Sequence, residues 1–227
     1  MNKPQRVILW GDSVAKGVVY DEAQQRYTLA RVSAASIVAQ RLGIEVVNRA
    51  HLGLTIDGGI AQIEKDLARG VTAEYAVVEF GGNDSDYDWT SISCTPDSEH
   101  FSKTPPERFE QRLREALARV ARAGITPVLC TLPPIVSQRY FDFVSRGNSA
   151  ANILRWLGSV DRIGAYHGIY SEINARVARE LGLPLLDVRG TFAEHDPCSL
   201  FCIDGIHPNA EGQVRIGESL SRMLTFA

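Results

Sequence analysis
The sequence predicts an α/β fold, a three-layer α/β/α sandwich on about five parallel strands. Short apolar, β-branched runs recur along the chain. Segments with apolar residues three and four apart lie between them. Glycines and prolines mark the joints. Short buried runs alternating with helices belong to a parallel sheet covered on both faces, whose strands need not alternate in polarity.

Residues 7–10, Val7-Ile8-Leu9-Trp10, read as the first buried strand. Residues 45–48, 75–80, 126–130 and 185–188 read as the next four. Residues 28–42 read as the first helix, with Leu29, Val32, Ile37, Val38 and Leu42 as its apolar stripe and Gly43 as its stop. Residues 56–67 form a second helix, closed before Gly70. A third follows Pro105 and Pro106, with Phe109, Leu113, Leu117 and Val120 on one face and Gly124 beyond its end. A fourth covers about 169–181, and a fifth begins near Pro208 and carries Val214, Ile216, Leu220 and Leu224. Two stretches, 84–104 and 132–165, are too long for ordinary βα connections. Both are aromatic-rich, with Tyr87, Trp89 and Phe101 in one and Tyr140, Phe141, Phe143 and Trp156 in the other. Both follow strand ends, where open α/β sheets bind ligands. They are expected to wall a substrate pocket, or else to form a satellite core or subunit interface. The expectation is one domain over residues 1–227, long enough to bury a core without staples.

Four places carry candidate chemistry. Gly11-Asp12-Ser13 turns at the end of the first strand. Alone it is also an ordinary polar turn, and its serine needs a neighbouring base to become a nucleophile. Asp204-Gly205-Ile206-His207-Pro208 sets an acid and an imidazole three residues apart around a tight turn. The carboxylate can hold one ring nitrogen protonated while the other takes a proton from serine, and Pro208 suits the first turn of the last helix. Gly81-Gly82-Asn83-Asp84 lets backbone approach a ligand and offers an uncharged amide donor of the kind that holds an oxyanion. Gly53, in the run from Asn48 to Thr55, can present a bare N–H. In a doubly wound sheet these four places can converge on one edge.

In this order the four places resemble the SGNH/GDSL hydrolase family, block by block, across nearly the whole chain. The resemblance implies a flavodoxin-like SGNH hydrolase fold and a GDSL-type carboxylic ester hydrolase that needs no cofactor or metal. It implies Ser13 as nucleophile, His207 as base and Asp204 as its orienter. The oxyanion hole would comprise the backbone N–H groups of Ser13 and Gly53 and the Asn83 amide. Asp12 and Asp84 read as hydrogen-bonding supports. Val14 stands where the family more often has Leu or Ile. His51, His100, His167 and His195 match no block and read as surface or structural. The implied substrate is a small-molecule ester with a short acyl group, taken here as acetyl on a carbohydrate.

Two rival readings use the same residues. Asp12, Asp84, Asp204 and His207 could form an oxygen-rich site for a metal-dependent hydrolase, or the pocket could bind a sugar or acyl group without turnover. The net charge of -3 gives no reason to expect nucleic acid or an anionic membrane as partner. No apolar run reaches the roughly 20 residues of a membrane helix. The opening residues 1–13 lack the features of a signal peptide, so a cytoplasmic location is expected. Cys94, Cys130, Cys198 and Cys202 read as reduced thiols. Cys198 and Cys202 could also be a local redox pair or half a metal site, but no second pair sits at ligand spacing. Oligomeric state is not legible.

Overall fold
A computed structural model of the chain describes residues 4–224. Residues 1–3, part of the opening stretch read as lacking a leader, lie outside the described residues, as do 225–227. The strands in chain order are β1 (Arg6–Gly11), β2 (Val18–Asp21), β3 (Arg26–Leu29), β4 (Glu45–Asn48), β5 (Tyr75–Glu79), β6 (Thr126–Cys130) and β7 (Leu185–Leu186). Five of them form a parallel sheet in the order β4-β1-β5-β6-β7. After β1 the chain leaves to one side for β4, then crosses back to place β5 on the other. Such a reversal opens a crevice at the carboxyl ends of the two flanking strands. The predicted turns after β1 and β5 sit there.

The helices are α1 (Ser13–Lys16), α2 (Ala34–Leu42), α3 (Ile56–Ala68), α4 (Trp89–Cys94), α5 (Pro106–Arg122), α6 (Ser137–Val144), α7 (Ala150–Leu157), α8 (Asp161–Glu180), α9 (Pro197–Leu200) and α10 (Ala210–Met223). Strand parity divides the core. Ile8, Trp10, Ala76, Val78 and Leu129 pack against α3, α5 and α8, whereas Val7, Val128, Cys130 and Leu186 face the side covered by α2 and α10. α5 starts on Pro106, whose missing N–H costs nothing in a first turn, and buries Phe109, Leu113, Leu117 and Val120 as the spacing predicts. Trp10 is anchored through its indole N–H to the fully buried Asp66 at 2.9 Å. Burial works to raise the Asp66 carboxyl, but Arg49, Trp10 and Gln62 outweigh it and hold it down to about 2. That anchor ties β1 to the segment after β4.

Several expectations are corrected. The expected helix over 28–42 begins only at Ala34, where Ser33 and Ser36 form a reciprocal capping box. Thr28 and Leu29 belong instead to β3, paired antiparallel with β2. Leu29 and Val32 are exposed, so the helical stripe drawn through them does not exist. Tertiary pairing of Val18-Val19-Tyr20 with Tyr27-Thr28-Leu29 decides these residues, and the left-handed Gln25 (φ 51°) makes the turn between them. α8 starts at Asp161, well before 169. Leu185–Leu186 is the whole of the last strand, because Val188 already enters a tight helical turn. Pro208 precedes the last helix rather than joining its first turn; it bridges Phe201, and Asn209 is the cap. The two long stretches are helical, carrying α4, α6, α7 and the start of α8. Their buried side chains, Trp89, Ile92, Tyr140, Phe141, Ile153, Leu157 and Ile163, form a separate apolar cluster above the sheet edge. Phe101 lies exposed outside it. Among the described residues, no helix is long and apolar enough to cross a membrane.

Candidate active site
The turn after β1 is shaped by close approach. A Cβ at Gly11 would lie 2.7 Å from a Glu79 carboxylate oxygen and 2.9 Å from the Glu79 carbonyl, so only glycine fits. Asp12 caps the short helix α1, accepting from the Val14 N–H at 2.9 Å. This sets Ser13 on the first residue of α1, half-exposed at the crevice.

The turn before α10 is shaped by its own aspartate. Asp204 is fully buried, and its Oδ1 accepts from the backbone N–H groups of Ile206 and His207, each at 3.1 Å. Oδ2 lies 2.6 Å from His207 Nδ1. His207 Nε2 lies 2.8 Å from Ser13 Oγ. Burial acts to raise the Asp204 carboxyl, but the His207 hydrogen bond and charge outweigh it, so the group stays below the ordinary range and ionised. Gly205, at φ 75°, passes so close to α6 that a Cβ would meet the Val136 carbonyl at 2.6 Å. The Val136 N–H in turn donates to the Gly205 carbonyl at 2.8 Å. The second long stretch thus buttresses this turn.

After β5, Gly81 takes φ 130°, and Gly82 leaves room for the Asp12 carboxylate, which a Cβ would approach to 3.1 Å. Asn83 Nδ2 donates to Asp12 Oδ2 at 3.0 Å. A primary amide has two N–H groups, so Asp12 can orient Asn83 and leave one N–H for the cavity that Asn83 lines with Ser13 and His207. Asp84 turns away from them. Both of its oxygens meet the Ile56 N–H, at 3.0 and 3.1 Å, capping α3 where Thr55 supplies no side-chain cap. Burial pushes its carboxyl up to about 6. Gly53 sits on an exposed turn at φ 72°, with nothing within 4 Å of where a Cβ would be. It does not line the cavity. Its segment is nevertheless tied to the Ser13 turn by Asn48 Nδ2 on the Ala15 carbonyl (2.9 Å) and by the His51 N–H on the Gly11 carbonyl (3.1 Å).

Three residues at the site were not singled out from the sequence. Glu79 ends β5 buried beside Asp12, and its Oε2 accepts from the Asp12 N–H at 3.3 Å. Burial first, then the Asp12 charge, holds its carboxyl well above the ordinary range. Burial raises the Asp12 carboxyl as well, so each of the two buried carboxyls disfavours the ionised form of the other. Tyr27, on β3, sets its ring centroid 5.0 Å from that of His207. His167, expected as surface or structural, is buried on α8 and lines the cavity. A glutamate in an apolar strand was a visible signal for the first; nothing local marked the others.

The cavity next to Ser13 has a volume of about 80 Å³. Much of its wall comes from the two long stretches, with Tyr87, Trp89 and Trp156, and from Tyr166 just beyond the second. Tyr87 lies 4.9 Å from Trp156 and 5.3 Å from Tyr166, centroid to centroid. Trp89, Tyr140, Leu157 and Ile163 belong to the apolar cluster of these stretches and also line this cavity. Asp12, Asp84, Asp204 and His207 do not converge as the metal reading requires. Among the described residues, no group of three or more His, Cys, Asp or Glu side chains is placed to hold a metal ion. Cys198 is exposed and Cys202 buried, both as free thiols. Cys202 Sγ accepts from the Tyr20 N–H at 3.3 Å.

The GDSL-like Lipase/Acylhydrolase family model matches residues 9–215. No curated protein matches the chain. Among solved structures, the lipase/acylhydrolase from Enterococcus faecalis superposes with a TM-score of 0.67 at 18% identity, covering 96% of this chain and 94% of that one. A catalytic mutant of Axe2, an acetylxylan esterase from Geobacillus stearothermophilus, gives 0.68 at 17% identity, covering 98% and 95%. TesA gives 0.63 at 20% identity, covering 97% and 98%. At such identities these structures speak to the fold.

Proposed function
The chain belongs to the GDSL-like Lipase/Acylhydrolase family, and on that premise we propose that it is a serine esterase that removes a short acyl group, acetyl on a carbohydrate, through an acyl-enzyme. The observation that carries this reading is the hydrogen-bond chain from Ser13 Oγ through His207 to Asp204, at 2.8 and 2.6 Å. Both links fall within the reach required of a nucleophile, its base and the base's orienter.

In this reading Ser13 attacks the ester carbonyl as His207 Nε2 takes its proton. Asp204 keeps Nδ1 protonated and stabilises the imidazolium. The oxyanion is met by the Asn83 amide and by the backbone N–H groups of Ser13 and Gly53, the last on a turn that must complete the hole with substrate bound. His207 returns its proton to the leaving alcohol, and water repeats the sequence on the acyl-serine. The cavity at Ser13, about 80 Å³, suits a small acyl group better than a long chain. The aromatic wall suits a sugar ring, by stacking. All of this is proposed as the work of one domain.

A second cavity, about 510 Å³ and apolar, lies between the sheet and α2 and α10 and shares Val14, Glu79 and Pro133 with the first. It favours a long acyl chain as the second reading. Hydrolysis of p-nitrophenyl esters from acetate to decanoate, by wild type and Ser13→Ala, separates the two. Acetate as the best substrate, with the variant inactive, supports the short-acyl reading. A rate that climbs to decanoate assigns the chain to the larger cavity. Equal rates for both proteins remove Ser13 from the chemistry.

A further inference from the structure
One polar group lining the cavity has no part in the esterase chemistry and, among the described residues, a ring nitrogen without a partner. His167 is 5% exposed on α8 and lines the same cavity as Ser13 and His207. Its Nδ1 is buried, and among the described residues no hydrogen-bonding group meets it. The neighbouring side chains do not compensate. Tyr166 and Tyr170 direct their hydroxyls to Ser102, at 3.0 and 2.9 Å. Arg189, the charged group that acts on the ring, donates to the Leu132 carbonyl. A buried polar atom left without a partner costs about 1–3 kcal/mol, and such atoms are few enough in native structures that each calls for an explanation.

The rest of the subsite says what partner the ring suits. Burial, with the Arg189 charge behind it, pushes the His167 imidazole down to about 3. The ring is therefore neutral at working pH and offers one donor and one acceptor. A neutral ring of this kind pairs with a hydroxyl, which can both give and take a hydrogen bond, better than with a carboxylate or phosphate. Tyr87, Trp156 and Tyr166 supply flat apolar walls in the same cavity. Polar recognition at one point and aromatic stacking around it fit a hydroxylated ring. An unbranched acyl chain would leave the imidazole unmet.

We propose that His167 is a specificity-determining residue, whose imidazole pairs with a free hydroxyl of the substrate's sugar ring in a subsite walled by Tyr87, Trp156 and Tyr166. The proposal rests on the esterase reading and adds to it which part of the substrate is read, and by what.

The test compares wild type, His167→Leu and His167→Asn on two acetyl esters. One is a mono-O-acetylated methyl xyloside with its other hydroxyls free. The other is p-nitrophenyl acetate, which carries the same acyl group and no hydroxyl. Losing a hydrogen bond that a site was built to make with substrate costs roughly ten- to hundredfold or more in kcat/KM. His167→Leu is expected to lose that much on the xyloside, mainly in KM, and to keep p-nitrophenyl acetate turnover within about twofold. His167→Asn, which restores an amide at the ring's position, is expected to recover part of the loss. The thermal midpoint of His167→Leu is expected to hold or rise, since an unpaired buried nitrogen is removed. Equal losses on both esters, or no loss on either, overturn the proposal, as does a sharp fall in the midpoint, which would mark His167 as a structural hydrogen-bonding residue. Failure of the esterase reading looks different: wild type then hydrolyses neither ester faster than Ser13→Ala.

Discussion
The sheet edge and the helical cap above it both bond most of their buried polar groups, and differ at one imidazole. At the edge, Asp12, Asp84, Asp204 and His207 are all buried and all hydrogen-bonded. Glycines at 11, 82 and 205 let Glu79, the Asp12 carboxylate and the start of α6 approach where a Cβ would crowd them. In the cap, half-exposed aromatic rings meet edge-on or tilted, and among the described residues no group satisfies one nitrogen of His167. The contrast separates two tasks. Groups that must hold one geometry through a reaction are over-determined by strand ends and tight turns. A surface that must fit something else keeps hydrogen-bonding capacity in reserve.

The contrast can be broken, beginning with the largest expected effect. Ser13→Ala should lower kcat by at least ~10³-fold with folding intact; a near-normal rate would move the chemistry away from the edge altogether. Asn83→Ala should cost about 3–4 kcal/mol of transition-state stabilisation, seen as a ~10²–10³-fold fall in kcat with KM little changed. Wild-type turnover in that variant would leave the amide as no more than a partner of Asp12.

Asp84 tests whether the edge is held at a cost. Its folded-state pKa of about 6 lies above the ordinary 3.8. The folded protein therefore binds a proton that the unfolded chain has already released, and stability falls as pH rises through that window. Asparagine has no charge to bury. Relative to wild type, Asp84→Asn should gain about 3 kcal/mol of stability between about pH 4 and pH 6, read from urea midpoints at each pH. A difference that does not change with pH would mean that the Ile56 N–H fully offsets the burial. The smallest effect belongs to the cap. Trp156→Ala should raise KM for an acetylated sugar roughly tenfold, about 1.4 kcal/mol, and leave kcat within about twofold. A fall in kcat equal to that of Asn83→Ala would erase the division between the two regions.

Much of the edge was legible because local rules and tertiary packing agree there. The β1, β4, β5 and β6 runs are short, apolar and bounded by turn residues, so their limits fall within a residue or two of the expected ones. Gly11-Asp12-Ser13 and Asp204 through His207 each close on themselves through an aspartate that bonds the backbone two or three residues on. Chemistry written into a few consecutive residues survives being read without a fold. Residues 18–29 failed that test. Leu29 and Val32 match a helical period, but the hairpin pairing and the Ser33 cap override it.

Sequence order alone determined the parallel sandwich, the family and the residues of the hydrogen-bonded Ser13–His207–Asp204 chain. The sandwich follows from periodicity; the family and the three residues follow from short motifs that resemble the SGNH/GDSL blocks. Tertiary structure alone decided that Glu79 is buried beside Asp12, that Tyr27 lies against His207 and that His167 lines the cavity. Each of those facts joins residues separated by tens of positions or more. They depend on which side chains are brought together out of water, and burial, unlike a turn, has no local signature.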